Sequence, residues 1–294
     1  MLGKFHKITY MKRYSKTASK SGHKKSPLKI ILSLIIIAAV LFYSRYQEEG
    51  QESQQEPSGS YSEEVDTSLL ELPQLSKEDK IINYRGFKVS YNSRTKIPNW
   101  VAWELEESEI YGKASREGMI FMPDNSLPYP QAEDYDYRNS GWTRGHMAPA
   151  ADFKWSKKAL EDTFHFTNCC PQDASLNGGM WDTLEKKTRE AASEYGKVWV
   201  VTGPIIGENR YGAIGENSVT VPDAFFKALM IHDGNSYQTI AFIMENRDQR
   251  ENMRKCAMSV NKLEEKIKLN LFDALDDDIE EKVESNYKLS VWGL

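Results

Sequence analysis

Cysteine is scarce in this chain and poorly arranged for structural use. There are three: Cys169 and Cys170 adjacent, Cys256 far downstream, and no Cys-x-x-Cys pair. That excludes a disulfide-dense scaffold, and His165, Cys169, Cys170 and Cys256 have poor spacing for tetrahedral zinc. Whether Cys169 or Cys170 pairs with Cys256 after export, burying an odd thiol, is open at this level. Positive charge is also in deficit, with 38 Lys and Arg against 43 Asp and Glu. A protein of net charge −5 does not hold nucleic acid through bulk basicity. No internal repeat is visible from about residue 80 onward. With 40% hydrophobic and 28% charged residues in 294, the chain is neither wholly disordered nor collagenous nor a polytopic membrane protein.

The average charge conceals a polarity along the chain. Residues 1–29 hold nine Lys or Arg and no acid, and Ile30 to Tyr43 is apolar except for Ser33. From Gln47 to Leu72 there are eight acids, no bases and many Gln and Ser. Basic, apolar, acidic is the order of a segment inserted with its N-terminus in the cytoplasm. Fourteen helical residues span roughly 21 Å against about 30 Å of hydrocarbon, a gap that Leu28, snorkelling of Lys29 and local thinning can close. The expected organisation is a basic cytoplasmic N-terminus (1–29), a transmembrane signal-anchor at 30–45, an acidic flexible linker (46–76) and a folded domain (77–294) outside the cytoplasmic membrane. A signal peptide cleaved to release a secreted domain is the alternative, although Phe42-Tyr43-Ser44-Arg45 is a poor cleavage site. The exported part, 77–294, has 28 basic and 35 acidic side chains, and nine of those acids face only five lysines in 262–294. A polyanion site there has to come from a few converging arginines.

Within the domain, YRGFKVSYN (84–92) and NWVAWELEE (99–107) read as strands, and 111–139, rich in Pro, Gly, Asp and Asn, as a long structured loop. LNGGMWDTLEKKTREAASEYG has helical spacing and ends at Gly196. KVWVVTGPIIG, SVTVPDAFFKALMIHDG and SYQTIAFIMEN are strand-like, with Asp233-Gly234-Asn235 as a turn, and the charged end from about Arg247 reads as mostly helical. The expected class is α+β around an antiparallel or mixed sheet.

Chemistry concentrates in residues 143–190. Arg144, Gly145 and His146 put an anion ligand beside a base that titrates near neutrality, with a glycine permitting close backbone approach. Thirty-one residues after His146, Asn177 is expected to begin a helix, followed at intervals of four by Trp181, Glu185 and Arg189. At 100° per residue these four span about 120° of one face. An amide oxygen, a carboxylate and an arginine opposite an Arg-Gly-His turn make a phosphodiester site. Simpler roles compete: helix N-cap for Asn177, core packing for Trp181, an i,i+4 partner of Glu185 for Arg189, a solvated loop residue for Arg116.

These blocks, Arg144-Gly145-His146-Met-Ala-Pro-Ala-Ala-Asp, Thr-Asn-Cys-Cys-Pro-Gln and Leu-Asn-Gly-Gly-Met-Trp with Leu-Glu behind, resemble the DNA/RNA non-specific endonucleases of the ββα-metal class. The likeness runs from about Tyr84 to Asn246 and includes YNSRTKIPNWVAWEL, VWVVTGPIIG and VPDAFFKALM. It implies a ββα-metal fold, a central mostly antiparallel sheet flanked by helices, and sugar-non-specific cleavage of DNA and RNA leaving 5′-phosphate and 3′-hydroxyl ends. By the same resemblance His146 is the general base and Asn177 the single protein ligand of a Mg²⁺, with Mn²⁺ an acceptable substitute. Glu185 binds a metal water and helps protonate the leaving group. Arg144, Arg189 and, as a weaker match, Arg116 contact phosphate, and Asn168 shapes the site. The expected partners are DNA and RNA through phosphate, the membrane through residues 30–45, a second copy in a homodimer and an inhibitor protein of unspecified kind. The family motif usually reads Asp-Arg-Gly-His, whereas this chain has Thr143. Lacking that negative charge, His146 is expected to be less basic and the metal more weakly held. An envelope-tethered protein that binds nucleic acid with little catalysis is therefore the rival reading.

Overall fold

The computed structural model describes residues 69–248 and 252–294. The expected signal-anchor at 30–45 lies outside the described residues. Among those described, no helix is long and apolar enough to cross a membrane. The domain begins earlier than the expected boundary at residue 77. Leu70 is fully buried, Glu71 pairs with Lys88 at 2.8 Å, and the Gln74 amide donates to the Asn270 carbonyl. The end of the presumed linker is thus part of the fold.

A seven-stranded sheet organises the domain. Its strands are β1 (Ile81–Tyr84), β2 (Phe87–Asn92), β3 (Ile97–Glu106), β6 (Lys197–Ile205), β9 (Ala224–His232), β10 (Tyr237–Glu245) and β11 (Ala257–Met258), in the order β1-β2-β3-β6-β9-β10-β11. Every neighbouring pair is antiparallel. Two small two-stranded sheets complete it, β4 (Thr143–His146) with β5 (Cys169–Gln172) and β7 (Ala213–Ile214) with β8 (Val219–Thr220). The α-helices are α1 (Glu107–Ile110), α2 (Asp134–Tyr137), α3 (Lys157–Asp162), α4 (Ala174–Leu176), α5 (Asp182–Tyr195), α6 (Val260–Ile267) and α7 (Asp277–Glu284).

The central strands read as nearly continuous apolar runs because both faces of the sheet are covered. Val101, Trp103 and Leu105 of β3 and Phe225, Leu229 and Ile231 of β9 face one core, shared with Leu184 and Ala192 of α5. Their alternates Trp100, Ala102, Phe226, Ala228 and Met230 face a second core with Val260 and Leu263 of α6. Each fully buried side chain of this size stabilises by about 1.5–3 kcal/mol, so both faces hold the sheet.

Segment 84–92, expected as one strand, is the turn and second arm of a hairpin. Arg85 and Gly86 connect β1 to β2, with Gly86 at φ +95° and its missing Cβ directed at Trp155. A two-residue turn leaves the in-out alternation unbroken, which is why the pattern reads straight through it. The strands at 97–106 and 237–245 and the helix ending at Gly196 (φ +83°) agree with expectation. The region after Arg247 holds α6 and α7 but also β11, so it is less helical than its charge pattern implies.

Candidate active site

Arg144-Gly145-His146 is a strand, not the expected turn. It pairs antiparallel with β5, His146 opposite Cys169 and Gly145 opposite Cys170. Gly145 is required by its neighbour across the ladder, since a Cβ there would lie 2.1 Å from Gln172 Oε1 and 2.6 Å from its Cβ. The glycine is needed for the close packing of the two strands. After β5 the chain enters α4, capped by Asp173, whose Oδ1 accepts from the Ser175 and Leu176 amides at 2.9 and 3.0 Å. Two strands and a helix, β4-β5-α4, form one unit. Asn246, fully buried at the end of β10, bolts it to the sheet by accepting from the Asp173 amide and donating to the Pro171 and Pro222 carbonyls.

Asn177 is therefore not the first residue of the helix, and its N-cap alternative falls with that expectation. It opens a π turn, Asn177–Trp181, between α4 and α5, in which Gly179 (φ −115°, ψ −107°) breaks the helical path. Such single-turn bulges concentrate at functional sites. Two adjacent glycines lower the cost of the bulge because they favour the regular helix least.

Hydrogen bonding determines how the Asn177 amide is turned. Thr143 Oγ1 donates its single proton to the Gln172 carbonyl at 2.8 Å. It can then only accept from Asn177, whose Nδ2 donates at 3.1 Å. The Asn177 carbonyl oxygen is consequently the end of the amide directed away from Thr143. Threonine at this position is thus an orienting residue, and unlike a carboxylate it serves both neighbours at once.

Beside this unit, His146 packs its ring 4.6 Å from Phe121 and 5.0 Å from Phe164, centroid to centroid. Its Nε2 is buried without a hydrogen-bond partner. Burial, and after it the nearby Arg116 cation, push the imidazole down to about 3, so it is neutral at physiological pH. Arg116 lies in the loop before β4, its guanidinium 5.9 Å over the Phe164 ring. Asn168, fully buried, donates to the Ala148 and Thr163 carbonyls and accepts from the Ala148 amide. The strand end bearing His146 is pinned by that side chain.

The two other arginines expected to contact phosphate are ion-paired within the protein. Arg144 Nη2 is held by Asp134, at 2.7 Å from Oδ1 and 2.9 Å from the backbone carbonyl, with its guanidinium 5.2 Å over Tyr137. Arg189 Nη1 pairs with buried Asp152 at 2.7 Å and forms no ion pair with Glu185. Both carboxylates compete with any phosphate for these guanidinium groups.

Under α5 lies a buried ionic cluster that the sequence reading missed: Asp152, Glu185, Arg189 and Lys227. Lys227 is fully buried, with Nζ 4.7 Å from the Trp181 ring centroid and 5.0 Å from that of Trp103. Trp181 is core, as expected, with no exposed surface for stacking on a base. Burial pushes Lys227 down to about 8 and Glu185 up to about 7; their mutual attraction opposes both shifts, and Asp152 raises both. One clue to Lys227 was available, a single lysine inside Ala-Phe-Phe-Lys-Ala-Leu-Met, because lysine is almost never fully buried without charge partners.

The cysteines are settled for the described residues: no disulfide forms, and Cys169 and Cys170 are buried thiols pushed up by that burial. His165 stacks on Tyr84 at 5.2 Å and joins no metal-ligating group with them.

The β4-β5 pair and the helical turn after it hold Arg144, His146 and Asn177 in one local unit. The sequence model of the DNA/RNA non-specific endonucleases matches residues 71–278. The chain belongs to the DNA/RNA non-specific endonuclease family, a family of nucleases. It is 33% identical to the mitochondrial nuclease EXOG of Danio rerio, over 81% of this chain and 71% of that protein. Against the human mitochondrial nuclease EXOG it is 34% identical over 66% of this chain, spanning 55% of the human protein. Against human mitochondrial endonuclease G it is 36% identical over 55% of this chain and 58% of that protein. A chain in the crystal structure of the EndoG/EndoGI complex superimposes with a TM-score of 0.65 at 26% identity, over 71% of this chain and 90% of that one.

Proposed function

We propose that the protein is a divalent-metal-dependent endonuclease that hydrolyses phosphodiester bonds of both DNA and RNA, leaving 5′-phosphate and 3′-hydroxyl ends. The observation that carries this reading is the Asn177–Thr143–Gln172 chain, which turns one amide oxygen outward beside the strand bearing a neutral His146. One neutral protein oxygen suits Mg²⁺, which keeps most of its waters and demands few protein ligands. The bound ion supplies stabilisation of charge on the phosphate and on the leaving 3′-oxygen.

The chain's own residues supply the rest. Neutral His146 takes the proton of the attacking water. Arg116 meets the phosphate; a phosphodiester beside it offsets that cation and restores basicity to the imidazole. Glu185, raised to about 7, orders water near Asn177 and delivers a proton to the departing 3′-oxygen. Arg144 and Arg189 exchange part of their carboxylate pairing for phosphate when substrate binds. All of these groups address phosphate, so little sequence preference is expected.

The order basic, apolar, acidic in residues 1–72 supports tethering to the cytoplasmic membrane through 30–45, with the nuclease domain outside. The solved neighbour in complex with EndoGI supports a protein inhibitor as a partner class, and a homodimer is the proposed assembly. The test is cleavage of supercoiled plasmid and of RNA by the full chain in Mg²⁺, beside His146→Ala and Asn177→Ala. Activity in the parent and near-complete loss in both variants is expected. Equal activity in all three removes the assignment, and retained DNA binding without turnover in Mg²⁺ or Mn²⁺ marks a non-cleaving nucleic-acid-binding relative.

A further inference from the structure

On the opposite face of the sheet from α5, helices α6 and α7 bring three glutamates together. Carboxylate oxygens of Glu264, Glu280 and Glu284 all lie within 4.8 Å of one another. None of them pairs with a Lys or Arg among the described residues. An independent feature sits inside this cluster: Glu284 is 1% exposed, and its Oε1 is buried with no donor to satisfy it. A carboxylate oxygen withdrawn from water without a donor costs several kcal/mol unless a cation meets it.

We infer that Glu264, Glu280 and Glu284 form a Ca²⁺ site that clamps the two C-terminal helices together. All donors are oxygens, which disfavours zinc and copper. A sphere of Ca²⁺ ligands at 2.3–2.6 Å is about 5 Å across and accommodates the observed spread; the shorter Mg²⁺ distances give about 4 Å and demand near-octahedral order. Asn261 lines the same hollow, and the Asn270 amide, which donates to Asp273 at 2.9 Å, also donates to Glu280 at the rim of the cluster. The surrounding frame is tied down: Glu264 Oε1 accepts from the Leu271 amide at 2.6 Å, and Thr239 of β10 donates to the Val283 carbonyl of α7 at 2.7 Å.

The test uses the full chain carrying Asn177→Ala, so that the nuclease-site ion does not contribute. Protein stripped with EDTA is titrated with CaCl₂ while thermal unfolding and the heat of binding are recorded. The expected result is one Ca²⁺ per chain and a saturable rise of about 5 °C or more in Tm at a hundredfold excess over Kd, with a smaller response to equal Mg²⁺. Glu284→Gln and, separately, the less buried Glu280→Gln should each weaken binding at least tenfold. No binding, or binding of undiminished strength in both variants, would overturn the site.

Discussion

In the β4-β5-α4 unit, polar side chains are held by neutral hydrogen bonds: Asn177 to Thr143 to Gln172, and Asn168 to Ala148 and Thr163. Beneath α5, buried Asp152 and Lys227 adjoin half-buried Glu185 and Arg189, with one close ion pair, Arg189 to Asp152, and the lysine between two indoles. Neutral bonds fix direction at little desolvation cost, so the first region can aim one oxygen and one imidazole. Burial raises Glu185 to near neutrality, with Asp152 adding to that shift and Lys227 and Arg189 opposing it. Direction comes from the upper region and proton affinity from the lower.

If this division holds, breaking the upper region abolishes turnover without unfolding the protein. His146→Ala should lower kcat by about 10²–10⁴ with unfolding by urea nearly unchanged, as read by plasmid nicking and circular dichroism. Breaking the lower region costs stability. Arg189→Met leaves Asp152 buried and unpaired, and unfolding should become easier by about 3–5 kcal/mol in urea titrations. Thr143→Val removes the acceptor for the Asn177 amide, so turnover should fall about tenfold while Thr143→Ser retains most of it.

The smallest effect is a shift in pH dependence. His146 stays neutral down to about 3, and Glu185 as proton donor sets the basic limb of kcat/KM, so activity should decline as pH rises through about 7. Lys227→Met removes the cation that favours ionised Glu185 and should move that limb to higher pH. For stability the sign is separate. Between pH 3 and 6.5 the unfolded chain protonates an imidazole that the native state keeps neutral, so this contribution to stability rises with pH and is complete above 6.5. His146→Leu should flatten the slope in that window.

Local pattern made much of the domain readable. Apolar runs marked β6, β9 and β10, Gly196 marked the end of α5, and the ordered blocks located His146, Asn177 and Glu185. The remainder depends on contacts distant in sequence. A hairpin at Arg85-Gly86 hides inside unbroken alternation, and the helix start was misplaced because Asp173 caps it while the Gly178-Gly179 pair bends it. Asp134 and Asp152, which claim Arg144 and Arg189, lie 10 and 37 residues from their partners, and nothing in linear spacing joins them. Thr143 looked like a loss of charge; only its two hydrogen bonds reveal that it orients the amide.

The most direct measurement is anomalous diffraction from crystals soaked in Mn²⁺. A peak about 2.2 Å from Asn177 Oδ1, with a water between it and the His146 imidazole, is the result expected. A metal seated away from Asn177, or an Asn177 carbonyl turned toward Thr143, would contradict the account.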